Sequence, residues 1–295
     1  MSTIPVSAAE GNQALTAEFK AFAKSINVDL IGIANIERFA DVAANRHPSS
    51  IFPEAQSVVI IGKRITRGTL RGVEEGTQFS LYSQYGRDWL NNRFLAMCTF
   101  KAAEFLEDHG WEAVPLPNLP PETPPMGIPV REGQPAPNVM IDFEDAAVRA
   151  GVGEIGLCGV LLTPQYGPRQ RIQLILTDAP LVPDALLTKA ICDRCAEREP
   201  VCPMGAIQVD AARTQSVCGM NMTVATIDYS RCRRCANGAA PNPHYATGRP
   251  DRLAALCTRN CLTHLEENGL VENTFENAFR KRRPWQIIDE RRVIS

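Results

Sequence analysis

Ten cysteines carry most of the chemistry available to this chain of 295 residues. Cys98 and Cys158 stand alone, and the rest fall between residues 192 and 261. In a reducing compartment, thiols gathered this densely point to metal or inorganic clusters before disulfides. The stretch Ile191–Ile207, ICDRCAEREPVCPMGAI, follows the bacterial iron–sulfur spacing Cys-x2-Cys-x2-Cys-x3-Cys-Pro at Cys192, Cys195 and Cys202-Pro203. The third position of that motif is residue 198, which is Arg.

A cubane [4Fe–4S] cluster needs four thiolates at its corners, and a Cys-x2-Cys turn supplies two neighbouring ones. In two-cluster ferredoxins the last cysteine of the motif serves the other cluster. Cys192 and Cys195 then need two more ligands. Cys257 and Cys261 lie four apart in a segment of helical spacing, so both thiols face one way and are expected to complete that set. Cys202, Cys218, Cys232 and Cys235 form the second set. Exchanging the Cys257/Cys261 and Cys232/Cys235 pairs gives an alternative assignment. A four-cysteine zinc site, or one intact cluster beside a degenerate site, also fits the two Cys-x2-Cys pairs.

The elements that must position these residues show in the periodicity. Thr16–Ile26 has helical spacing, Val28–Ala34 and Pro53–Ile65 read as strands, and a long amphipathic helix is expected from Tyr82 to His109, closed by Gly110. A strand at Trp111–Pro117 precedes a proline-rich loop over Pro117–Pro137. A short helix at Asp142–Ala150 and strands at Gly159–Pro164 and Arg171–Leu181 follow. The expected organisation is an α+β (α/β) domain over residues 1–185, then a cysteine module over 186–295 with a basic C-terminal tail.

Hydrophobic content of 44% is that of a packed chain. The apolar runs are too short to cross a bilayer, and the first twenty residues lack an export signal, so a cytoplasmic protein with no membrane partner is expected. The run Arg280–Trp285, RKRRPW, reads as a solvated tail or a strap over acidic residues, with nucleic-acid binding the less favoured use.

From Arg149 to Leu181, RAGVGEIGLCGVLLTPQYGPRQRIQLILTDAPL resembles the glycine segment shared by epoxyqueuosine reductases and reductive dehalogenases. The segments ADVAANRHPSSIFPEAQSVVIIG and YGRDWLNNR also resemble that family. The resemblance implies a nitroreductase-like corrinoid-binding domain followed by a ferredoxin-like module with two [4Fe–4S] clusters. It pairs Cys202 with Cys218 at the distal cluster. It makes Gly151, Gly153, Glu154, Gly156, Tyr166, Gly167, Pro168, Arg169 and Arg171 the cobalamin-binding candidates, with flavin as an alternative ligand of such glycines. Asp142 is the first candidate proton donor and Tyr85 the second; their ordinary roles would be a helix N-cap and a core aromatic. The chain departs from the family at Arg198 and in lacking a Cys-Pro after Cys235. It also stops where epoxyqueuosine reductases carry a tRNA-binding repeat domain, which argues against a tRNA substrate.

Together these features predict an oxidoreductase that takes electrons from a low-potential donor such as ferredoxin or flavodoxin. The electrons would pass through two clusters to a corrinoid, for reduction of a small organic molecule. The alternatives are a two-cluster electron-transfer protein without substrate chemistry and a zinc-stabilised binding module. Cys158 reads as a small buried thiol or a cofactor contact, and Cys98 as core. His47, His109, His244 and His264 form no catalytic constellation in the sequence.

Overall fold

In chain order the helices are α1 (Ala8–Ser25), α2 (Arg71–Glu74), α3 (Ser80–Tyr82), α4 (Ala96–Asp108), α5 (Phe143–Arg149), α6 (Tyr229–Cys232) and α7 (Leu256–Glu267). The strands are β1 (Leu30–Asn35), β2 (Ser57–Arg64), β3 (Ala113–Leu116), β4 (Glu154–Ile155), β5 (Leu161–Leu162), β6 (Gln170–Thr177), β7 (Ile207–Val217), β8 (Met220–Ile227), β9 (Ile287–Asp289) and β10 (Arg292–Ile294). The structure, a computed structural model, describes residues 8–120, 123–124, 126–197, 201–242, 244–245, 247–284, 287–289 and 292–294. Arg198 and Trp285 lie outside the described residues.

The chain divides into two compact units, each built from discontinuous segments. The first comprises Met1–Lys63, Asn91–Val152 and Arg171–Leu186, and the second Arg64–Leu90, Gly153–Gln170 and Leu187–Ser295. The first unit therefore ends beside the boundary expected at 185. The second draws two upstream segments into the cysteine module, which reading the chain in linear order did not anticipate.

In the first unit four strands form one sheet in the order β1-β2-β6-β3. β1 pairs antiparallel with β2, and β3 with β6. The β-branched run Val58–Ile61 is buried on both sides, as expected of a central strand. Phe19 of α1 and Leu106 of α4 pack with Ile33, Val59, Ile61 and Ile175 of the sheet. Each such side chain contributes about 1.5–3 kcal/mol by leaving water. α1 ends where Asn27 turns left-handed (φ 64°), and α4 is followed by Gly110 (φ 84°).

The long helix expected from Tyr82 is interrupted. Ser83–Asp88 and Leu90–Leu95 are wound as π-helix before α4 begins. Within the first stretch Gly86 lies against the Tyr82 ring, where a Cβ would come within 2.4 Å, and Tyr82 itself is held by Asp251 at 2.8 Å.

The second unit contains the β4–β5 ribbon, the β7–β8 hairpin and α7. The hairpin turn is Cys218-Gly219, both at positive φ (48° and 83°), as a two-residue type I′ turn requires. The basic run forms a strap within this unit. Arg280 donates to Glu74 at 2.6 Å, Lys281 pairs with Glu267 at 2.8 Å, and Arg282 pairs with Glu75 at 2.9 Å. Among the described residues no helix is long and apolar enough to cross a membrane.

Candidate metal centre

The ribbon β4–β5 places the site's first anchor. Glu154 is buried, and its Oε1 accepts from the backbone N–H of Ile191 at 2.8 Å and from that of Cys192. The entry to the cysteine motif is thus fixed by a carboxylate on β4. Between β4 and β5 the chain turns through Gly156-Leu157-Cys158-Gly159, closed by Gly159 N–H donating to Gly156 O at 2.8 Å. The Leu157 N–H donates to Cys192 Sγ at 3.3 Å, and Leu157 O accepts from Ala225 N–H at 2.9 Å. A backbone N–H aimed at a cysteine sulfur is the arrangement that steadies a cluster thiolate. Ala206 N–H does the same for Cys202 Sγ at 3.3 Å.

Burial raises most of these thiols. Burial pushes the Cys232 thiol up to about 11; Arg252 opposes this, and Cys257, Cys235 and Cys202 add to it. Burial also raises Cys235, with Cys257 and Cys202 adding, and raises Cys257, with Arg252 opposing and Cys202 adding. Cys261, on the next turn of α7, is raised well above the ordinary value by burial and then by Cys158, Cys192, Cys195 and lastly Cys257. Burial pushes Cys158 up to about 12, with Cys257, Cys192 and Cys195 adding and Arg252 opposing. Cys192 is raised by burial, against the Leu157 N–H.

Cys218 sits at the hairpin turn, and Cys158 packs with Leu157, Ala196, Ala225 and Cys192. Arg252 is a buried cation near several of these thiols, and its guanidinium donates to Cys158 O at 3.0 Å and to Gly159 O at 2.7 Å. No signal in the spacing marked Arg252.

Asp193, Cys195 and His264 also come within 4.8 Å of one another through their ligand atoms. His264 Nε2 lies 3.0 Å from the Asp193 carboxylate, and its Nδ1 is 3.3 Å from Asn268 Nδ2. Both ring nitrogens are thus engaged within the protein.

The residues expected to cradle a macrocycle are spent on the protein itself. A Cβ at Gly151 (φ 72°) would lie 2.0 Å from Ala185 O, and one at Gly153 would lie 2.0 Å from Leu162 O. One at Gly156 would lie 2.7 Å from Leu162 Cδ1, and one at Gly167 (φ 58°) 3.0 Å from Leu265 Cδ1. Arg169 is buried, donating to Ile65 O at 2.7 Å and Asn273 Oδ1 at 2.8 Å, and burial lowers its pKa to about 10. Tyr166 receives Arg64 over its ring at 5.8 Å, Pro168 is buried beside it, and Arg171 is half-buried on β6. Asp142 caps α5, its Oδ1 accepting from Glu144 and Asp145 N–H at 3.1 and 3.2 Å. Tyr85 is 49% exposed, its ring edge-on to Trp89 at 5.1 Å, and so is not the core aromatic that was its alternative. These glycines and Arg169 thus each have a packing or hydrogen-bonding role within the protein itself.

No protein-family model matches the chain. Over 116 residues it is 32% identical to the tetrachloroethene reductive dehalogenase of Desulfitobacterium hafniense, a match covering 38% of this chain and 17% of that protein. A solved reductive dehalogenase superposes with a TM-score of 0.54 at 17% identity, covering 88% of this chain and 34% of the other. The chain has the fold of a reductive dehalogenase. An epoxyqueuosine reductase from Bacillus subtilis aligns at 16% identity and a TM-score of 0.47, covering 87% of this chain and 83% of that one. The mixed α+β class expected from the sequence agrees with this fold. The chain spans less than a fifth of the curated dehalogenase it matches.

Proposed function

We propose that the chain is an iron–sulfur oxidoreductase of the reductive dehalogenase kind. In this reading two groups of thiols in the second unit hold two [4Fe–4S] clusters, which carry electrons from a low-potential donor toward the reduction of a small organic substrate. The observation that carries the reading is the gathering of eight buried or half-buried thiols between Cys192 and Cys261 in the second unit of a chain with this fold. Soft thiolate ligands select iron–sulfur clusters or zinc, and backbone N–H groups aimed at Cys192 and Cys202 sulfurs favour the clusters.

A corrinoid is the cofactor that the likeness points to, since the solved neighbour is described by its B12-dependent dehalogenation. Of the two candidate proton donors, Tyr85 has its side chain open, whereas Asp142 is occupied as a cap. The occupied glycines favour a second reading, a two-cluster electron-transfer protein with no substrate chemistry of its own.

Anaerobic isolation followed by analysis of iron, sulfide, zinc and cobalt tests both. About eight irons and eight sulfides per chain, with uptake of added cobalamin, are expected for the reductase. The same iron content with no cobalamin uptake supports the electron carrier. A colourless, zinc-loaded protein would refute both.

A further inference from the structure

A patch of arginines lies on the cysteine turns of the second unit. From Tyr229 the chain reads Tyr-Ser-Arg-Cys-Arg-Arg-Cys, so Arg231, Arg233 and Arg234 interleave with the thiols of Cys232 and Cys235. Cys232 and Cys235 are 6% and 9% exposed, whereas all three arginines are exposed. The thiols are withdrawn from water and the guanidinium groups stay in it.

The patch extends to a second cysteine turn and a second segment. Arg231 donates to Gly205 O at 3.3 Å, and the Gly205 N–H donates to Cys202 O at 3.1 Å. Arg233 donates to Thr247 O at 2.9 Å, and the nearby Arg249, also exposed, lies with its guanidinium 5.4 Å over the Tyr229 ring. Between residues 229 and 250 there is no Asp or Glu. Asp228, at the edge, caps α6 and pairs with Arg231 at 3.3 Å. Among the described residues no hydrogen bond or ion pair ties down the Arg234 side chain.

We propose that this face is the docking surface for an acidic electron-carrier protein, which delivers electrons beside Cys202, Cys232 and Cys235. The proposal rests on the two-cluster reading. Charge complementarity selects the partner. The whole chain carries a net charge of −2, and the part before residue 186 holds an excess of Asp and Glu. An acidic protein is therefore repelled elsewhere and steered to the arginines, whose planar forks suit carboxylates. A nucleic acid is the poorer match: its binding commonly draws on about 6–10 phosphate contacts, more than these arginines supply. In the step itself one electron leaves the reduced flavin or iron centre of the carrier and is accepted at the cluster. No bond in the chain is made or broken.

The test uses the full chain, reconstituted anaerobically with ferrous iron and sulfide. The proteins are wild type, Arg234→Glu, the double variant Arg233→Glu/Arg234→Glu, and Lys101→Glu as a charge control on α4. The probe is an acidic flavodoxin. The readouts are iron per chain, the second-order rate of cluster bleaching by the reduced flavodoxin, and the dissociation constant of the oxidised one. All four proteins are expected to hold about eight irons. Photoreduction with deazaflavin, which needs no docking, is expected to reduce all four to the same extent. At about 20 mM ionic strength the double variant is expected to react about tenfold or more slowly than wild type and to bind more weakly, with Arg234→Glu between them. At about 1 M, where the screening length falls to about 3 Å, the rates are expected to converge. Lys101→Glu is expected to stay within about twofold of wild type throughout. Equal rates for wild type and the double variant at low salt overturn the docking surface while the two-cluster reading stands. So does an iron-loaded wild type that flavodoxin neither binds nor reduces, or one that holds a short RNA duplex more tightly than flavodoxin through the same arginines. A wild type that takes up no iron refutes the two-cluster reading, and the docking surface with it.

Discussion

Replacing Gly153 by alanine separates packing from ligand binding in the glycine segment. The new Cβ would lie 2.0 Å from Leu162 O and 2.9 Å from Leu162 C, whereas a carbon–oxygen contact normally opens to about 3.3 Å. The obstacle is a backbone carbonyl, so it withdraws by over an ångström only if the ribbon gives way. Leu162 is the register partner of Glu154, so that displacement strains the β4–β5 pairing. Overpacking of this kind costs about 1–3 kcal/mol, and a weakened ladder bond adds about 0.5–1.5 kcal/mol. The gain from restricting the unfolded chain, about 0.4–1 kcal/mol, offsets part of this. A net loss of about 1–4 kcal/mol is expected, read as a lower denaturant midpoint at unchanged slope in cobalamin-free protein. If Gly153 instead existed to admit a flat ligand, the ligand-free variant would unfold within about 0.5 kcal/mol of wild type and only cofactor uptake would fall. That result would refute the packing argument.

Glu154→Ala removes the acceptor of two buried backbone N–H groups; at about 1.5–3 kcal/mol for each bond to a charged group, a loss of about 3–6 kcal/mol and poorer iron retention are expected, with Glu154→Gln falling between. Arg252→Lys keeps the charge but not the two-pronged fork, so it should cost about 1–2 kcal/mol less than Arg252→Met in chemical denaturation; equal losses would show that the charge is immaterial. Asp41 tests the ion pairing at α5. Hydrogen bonding from Arg149 holds its carboxyl below the ordinary value of 3.8, outweighing burial. A depressed folded pKa contributes stability above the unfolded value, lost as pH falls through the folded one. The melting-temperature gap between wild type and Asp41→Asn should therefore be open at neutral pH, begin to narrow near the unfolded value of about 3.9 and close once pH falls below the depressed folded pKa. A gap that persists there would mean the contact is not ionic.

Periodicity reached the elements that bury a face. α1, β1, β2, β3, α5 and β6 lie where apolar spacing put them, because their patterns are set by packing on one sheet. It failed where tertiary contacts override the local pattern. The π-wound turns at Ser83–Asp88 and Leu90–Leu95 leave the apolar periodicity of an ordinary helix nearly unchanged, so no window of sequence reveals them. The β7–β8 hairpin was missed because β7 has little apolar alternation: Asp210, Arg213 and Gln215 break it, and its turn is Cys-Gly in place of the commoner Asn-Gly. Asp142 takes the helix-cap role that its type and position allowed beside the proton-donor reading.

The cysteines show what a count can and cannot do. Eight ligands for two cubes is a constraint on number, and residues 192–261 offer eight, so nothing in the spacing compelled a search outside that stretch. A count says nothing of where each thiol lies. In the fold a further thiol, Cys158 on the turn between β4 and β5, packs in one group with Cys192 and Ala196, and the neighbouring Leu157 N–H donates to Cys192 Sγ. The turn is closed by Gly159 N–H donating to Gly156 O, and Arg252 donates to the carbonyls of Cys158 and Gly159. The glycine pattern therefore has a use within the protein beside any ligand: it lets a tight turn and a carbonyl-binding arginine come against the cysteine motif.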